Sequence, residues 1–175
     1  MVLVEKEIST EHKDHSSSIN KAITMKGTGV VFFKSAQYNI ASPIIANTGI
    51  QLIGENSQSM NNSSSYTIFR PVVDGKGKFN GDYLLYINSY TTPKNFQYID
   101  QSTIIDNICF TNWRETIPTQ KCIYAGGGVH LNRIVWYNFL QGVKYTHTYN
   151  DTRSITNCSL KTDRDINNIS EDYAF

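Results

Sequence analysis

The sequence is short of most of the features that would assign a function outright. Its three cysteines, Cys109, Cys122 and Cys158, form no CxxC pair, so neither a disulfide framework nor a zinc site is indicated. Charge is balanced at 16 basic against 15 acidic residues, which gives no basic surface for nucleic acid or an anionic membrane. The longest apolar runs, "VVFF" and "YLLYI", are far too short to cross a bilayer. The start "MVLVEKEIST" places acidic residues where a signal peptide needs a basic end and an apolar stretch, so no export signal is read here. Asn-Gly and Asp-Gly hairpin turns are scarce, which argues against an antiparallel sandwich. Cofactor-binding and metal-binding motifs are missing too. "AGGGVH" (125–130) lacks the Lys-Ser/Thr and following helix of a phosphate loop, and the four histidines are scattered. No cofactor and no metal are expected.

Strand formers are plentiful, with 11 Tyr, 8 Phe and many Ile and Val in 175 residues. Residues 1–15 read as an irregular, charged segment and 16–175 as a single domain. "DHSSSINKAITMKGTG" predicts one short helix over about 16–25. Asp14 or Ser16 can cap it, Ile19, Ala22 and Ile23 form its apolar stripe, and Gly27 or Gly29 ends it. From Gly29 onward strand signals follow one another: 29–33, 37–46, 49–55, 66–73, 82–90, 102–112, 121–127, 129–139, 142–148 and 154–162.

Three of these stretches are copies of one another. Aligning Ile108, Ile134 and Cys158 also aligns Phe110, Trp136 and Leu160, at offsets of 26 and 24 residues. "CIYAGG" (122–127) likewise matches "GVKYTHT" (142–148), with "WRETIPTQK" (113–121) as a loop insertion. A repeat of this period points to a solenoid, and two or three short strands per turn make it an all-β, parallel β-helix. Asn112 and Asn138 are candidates for a turn ladder between coils, and Trp136 falls at an inward position.

The stretch "GTGVVFFKSAQYNIASPI" (27–44), followed by "GIQLIGE" (49–55), resembles the entry segment of pectate-lyase-like right-handed parallel β-helices. That family includes phage tail-spike depolymerases and bacterial polysaccharide lyases and hydrolases. The resemblance covers the N-terminal coils only. "FFKSAQY" replaces the family's usual Pro-Gly turn, and "STEHKDHS" lacks the run of Gly and Asp that commonly precedes the helix. It implies a capping helix over the open end of the coil column, a polysaccharide partner, and a virion-associated or extracellular setting. It also implies that this chain is the N-terminal coils of a longer protein. The resemblance, and not the residues, implies lyase or hydrolase chemistry.

The carboxylates Asp74, Asp82, Asp100, Asp106, Glu115, Asp151, Asp163 and Asp165 form no pair that recurs in adjacent coils, as paired general acid–base work would need. Reading 107–111, 133–137 and 157–161 as one repeated strand puts Arg133, Tyr137 and Lys161 on a shared outer face, about 5 Å per coil apart. They are the candidates for an acidic sugar. Trp113 and Arg114, in the loop insertion, are candidates for stacking and binding. The expected function is therefore binding or degrading a polysaccharide. The alternative is a non-catalytic structural, receptor-binding or protein-interaction solenoid, homotrimeric or joined through an open coil end.

Overall fold

The computed structural model describes residues 14–46, 49–57, 65–72, 79–87, 103–112, 120–125, 128–145 and 153–159, with the main chain alone of 2–4, 160 and 161. Among the described residues one helix, α1 (Ser16–Lys26), precedes a chain that travels in circuits, each circuit laying one strand in each of three sheets. The first circuit is β2 (Gly29–Phe33), β3 (Ala36–Ile40) and β4 (Ile44–Ala46). The second is β5 (Ile50–Gly54), β6 (Thr67–Pro71) and β7 (Tyr83–Ile87), and the third β8 (Thr103–Asp106), β9 (Cys109–Thr111) and β10 (Lys121–Ala125). The fourth is β11 (Val129–Asn132), β12 (Val135–Tyr137) and β13 (Gln141–Tyr145), after which β14 (Arg153–Thr156) and β15 (Ser159–Lys161) open a fifth.

The first sheet runs β1 (Val2–Val4)-β2-β5-β8-β11-β14, the second β3-β6-β9-β12-β15 and the third β4-β7-β10-β13. Every strand pairing among the described residues is parallel, so the arrangement is solenoid-like. Register follows the repeat read from the sequence. Phe110, Trp136 and Leu160 lie side by side in the second sheet, and Ile123 and Val143 in the third.

The interior is a column of Ile, Leu, Val and aromatic side chains, most of them with no exposed surface. Its aromatic part is a stack of edge-to-face rings, Phe33 and Tyr38 on Phe69 and Phe69 on Phe110, with centroids 5.0–5.7 Å apart. Trp136, level with Phe110 one circuit on, is buried as expected.

Two features differ from the sequence reading. Residues 2–4, placed in an irregular segment, form β1, because the Val-Leu-Val run pairs with the edge of β2. The stretch 37–46, read as one strand, is β3 and β4, and the stretches 102–112, 129–139 and 154–162, also each read as one strand, are over their described residues two strands meeting at a corner. At those corners Asn107, Arg133 and Asn157 adopt φ of 60°, 52° and 53°. A left-handed residue turns the chain and resets the inside–outside alternation, so period-2 counting across it fails.

These corners carry the turn ladder. Asn107 Nδ2 donates to the carbonyls of Gly54 and Glu55. Asn132 Nδ2 donates to Asp106, and Thr156 and Asn157 donate to Asn132 Oδ1. Asn112 and Asn138 are also joined, Asn138 Nδ2 donating to the Asn112 carbonyl at 3.1 Å. Asn138 is buried and has φ 59°. Asn138→Ala is expected to cost about 2 kcal/mol, from a buried carbonyl losing its donor and an alanine forced left-handed. Asn138→Gly, which loses the bond but adopts that φ freely, should cost about half as much in urea denaturation.

Candidate functional site

Of the residues singled out from the sequence, Arg133 lies at a corner and not on the strand that carries Tyr137. Arg133 sits at a corner, half-exposed, and its guanidinium grips Asp106 of the preceding circuit, Nε donating to Oδ1 at 2.9 Å and Nη2 to Oδ2 at 2.5 Å. Those bonds and the carboxylate's charge hold its guanidinium above its ordinary value. It is a rung of the corner ladder. Tyr137 lies on β12 in register between Thr111 and Lys161, so Tyr137 and Lys161 do share the second sheet. Next to them on that sheet Cys109 and Thr111 are buried, while Tyr137 is half-buried. Trp113 and Arg114 lie outside the described residues, and of Lys161 only the main chain is described.

A different face gathers aromatic and cationic side chains: the outside of the third sheet. Ile45, Tyr86, Tyr124 and Lys144 occupy laterally paired positions on β4, β7, β10 and β13. They form a row along the axis at the strand spacing of about 4.8 Å. Ile45 is one of the few large apolar side chains left exposed among the described residues, at 42%. Beside this row lies a second, Tyr83, Lys121 and Gln141.

The local chain explains how the rows meet. Leu84 and Leu85 are both buried, as are Cys122 and Ile123. Alternation is broken there, so Tyr83 and Tyr86, three residues apart, emerge on the same side with ring centroids 5.6 Å apart. Tyr124 lies 5.1 Å from Tyr83 and 5.7 Å from Tyr86, so the three rings form one cluster. Lys121 Nζ stands 5.4 Å from the Tyr83 ring centre and Lys144 Nζ 6.0 Å from that of Tyr124. The Tyr83 hydroxyl donates to Gln141 Oε1 at 2.8 Å, reaching across β10. Burial, then the neighbouring Tyr124, Tyr86 and Asp82, pushes that hydroxyl's pKa up, so it stays a donor.

Such a face can do two things chemically. Tyrosine rings offer apolar surface to the C–H face of a sugar ring and carry a hydroxyl at the polar tip. The lysines bring donors to the ends of the platform. The carboxylate beside this face is Asp82, next to Tyr83, and three other described carboxylates are engaged elsewhere. Asp106 is ion-paired, and Glu55 accepts from the Ser35 N–H, a bond that holds its carboxyl below the usual range. Asp14 sits at the start of α1. Among the described residues no three His, Cys, Asp or Glu converge as a metal would require.

The sequence contained a signal for this face that the repeat alignment passed over. "YLLY" (83–86) and "KCIY" (121–124) match position for position, but the long segments between them hide the period. No protein-family model, no curated protein and no solved structure matches the chain.

Proposed function

We propose that the chain belongs to a right-handed parallel β-helix of the pectate-lyase-like kind, and that the outer face of its third sheet binds an extended polysaccharide. The observation that supports this reading is the tyrosine cluster, Tyr83, Tyr86 and Tyr124, flanked by Lys121 and Lys144. Its row runs parallel to the axis at a step close to the length of one sugar unit, so successive units of one polymer can lie over successive strands. A rigid sheet face holds these rings without the ordering cost a loop would incur.

The test is incubation of the purified chain with a panel of acidic and neutral capsular polysaccharides. Retention on immobilised polymer measures binding, ultraviolet absorbance follows unsaturated lyase products, and a reducing-end assay follows hydrolysis. Retention of one class of polymer with no new ends is the expected result. Retention accompanied by new ends makes the face part of a catalytic groove. A well-folded chain that retains no polymer overturns the reading and leaves the structural or protein-interaction role.

A further inference from the structure

The strand edges at the start of the solenoid are not left open; those of β3 and β4 are met by residues 14–20 and that of β2 by β1. Along the edge of β3 the main-chain N–H of His15 donates to the Asn39 carbonyl at 2.8 Å, and the Asn39 N–H donates back to the imidazole Nδ1 of His15 at 3.0 Å. At the following corner Ala41 N–H donates to Asp14 Oδ1 and Ser16 Oγ, and Ser42 N–H to Ser16 Oγ. Along β4, Asn20 accepts from Ile45 N–H at 2.8 Å and donates to the Pro43 carbonyl at 2.9 Å. A side chain copies what a further strand would do, and β1 does the same for β2 with main chain. Over this clasp α1 lays the buried Ile19, Ala22 and Ile23 on the end of the core.

Ser16 and Asn20 do not titrate. Asp14 titrates only in strong acid: burial raises its carboxyl, but bonds from Ser16 and Ala41 outweigh that and hold it below the ordinary value. Its contribution is therefore lost only as pH falls below about 4. His15 is different. An imidazole accepts at Nδ1 only when neutral, and the protonated ring has no lone pair for the Asn39 N–H. The ring is 7% exposed and meets Tyr38 edge-on at 5.8 Å. Its charged and titratable surroundings offer a cation mixed support. Asp14 precedes it, and its carboxylate favours positive charge on the ring. Against that, Arg70 of β6 donates to the same Asn39 through Nη2 at 3.0 Å, bringing a like charge. The Tyr38 hydroxyl, pushed up to about 12 by burial and then by Glu55, stays neutral.

We propose that the N-terminal cap is an acid-released latch: the neutral imidazole of His15 holds the start of α1 against the edge of β3, and its protonation lets the cap lift. The released state binds one more proton than the closed state, so closure weakens as pH falls through the imidazole's titration. Lifting the cap uncovers the apolar end of the column and a row of main-chain groups that can pair with an added strand. This inference is independent of the polysaccharide reading.

The experiment is residue-resolved amide hydrogen exchange on the whole chain between about pH 7.5 and pH 5, corrected for intrinsic rates. Protection of the Asn39, Ala41, Ser42 and Ile45 amides is expected to fall by up to about tenfold per pH unit below the imidazole's titration, while β11 and β12 hold. In His15→Asn the amide oxygen can accept the same N–H without titrating, so the slope should vanish; in Asp14→Asn it should persist. Flat protection in the wild type, or an unchanged slope in His15→Asn, overturns the latch. If His15→Asn does not fold, the wild type still decides: loss of Asn39 protection must track the titration of the His15 ring in its NMR spectrum, and failure to track it overturns the proposal.

Discussion

Gly54→Ala is expected to lower the thermal midpoint by roughly 6–12 °C, the equivalent of about 3 kcal/mol of overpacking in a chain of this length. The cause is a close approach between circuits. A methyl group on Gly54 would lie 2.2 Å from the Asn107 carbonyl oxygen and 2.9 Å from Thr67 Cβ. Neither neighbour is free to give way. Asn107 is fixed by its bonds to the Gly54 and Glu55 carbonyls and by the Ser57 hydroxyl, which donates to its Oδ1. Thr67 Oγ1 accepts from the Glu55 N–H and donates to the Phe33 carbonyl. Gly142→Ala is the control. Its methyl would meet the Trp136 ring at 3.6 Å, an ordinary contact, and should change stability by under about 1 kcal/mol. A Gly54→Ala protein that melts with the wild type would mean that the second and third circuits do not stack in this register.

The legible part of this protein was whatever repeats at short spacing. Phe110, Trp136 and Leu160 sit side by side because each circuit must return an inward side chain to the same level, and the 26- and 24-residue offsets record that return. The helix was legible for a similar reason: its apolar stripe, Asp14 before it and Gly27 after it are local signals. Gly27 has φ 63°, and its N–H bonds to the Ile23 carbonyl.

What the sequence hid were the places where alternation breaks. Arg133 looked like an outward strand residue because a corner at φ 52° leaves no mark in the composition: arginine is not a residue that announces a left-handed turn. Its neighbours did announce it. Asp106–Asn107, Asn132–Arg133 and Thr156–Asn157 are polar pairs at the same step of every copy, immediately before the inward Ile108, Ile134 and Cys158. The tyrosine face was hidden by the opposite irregularity, two buried residues in succession at 84–85 and 122–123. A strand read with strict period 2 puts Tyr83 and Tyr86 on opposite faces; the folded chain brings their rings together.

The largest functional effect is expected from the double variant Tyr86→Ala/Tyr124→Ala, which should weaken binding to the retained polysaccharide by roughly 30-fold, about 2 kcal/mol for two lost stacking surfaces. Both rings are half-buried on the outer side of the sheet, so their removal leaves the inward Leu85, Ile87, Ile123 and Ala125 in place and the fold intact. Removing Tyr83 instead would confuse the result, since that ring is 5% exposed and bonded to Gln141. Tyr137→Ala, on the second sheet, is the matched comparison, a half-buried tyrosine one face away. If the polymer lies along the third sheet, Tyr137→Ala binds as the wild type does and the double variant does not. The reverse pattern moves the site to the face that carries Tyr137 and Lys161. Equal losses in both would place the polymer across the two sheets, where the fourth circuit carries the chain from β12 to β13.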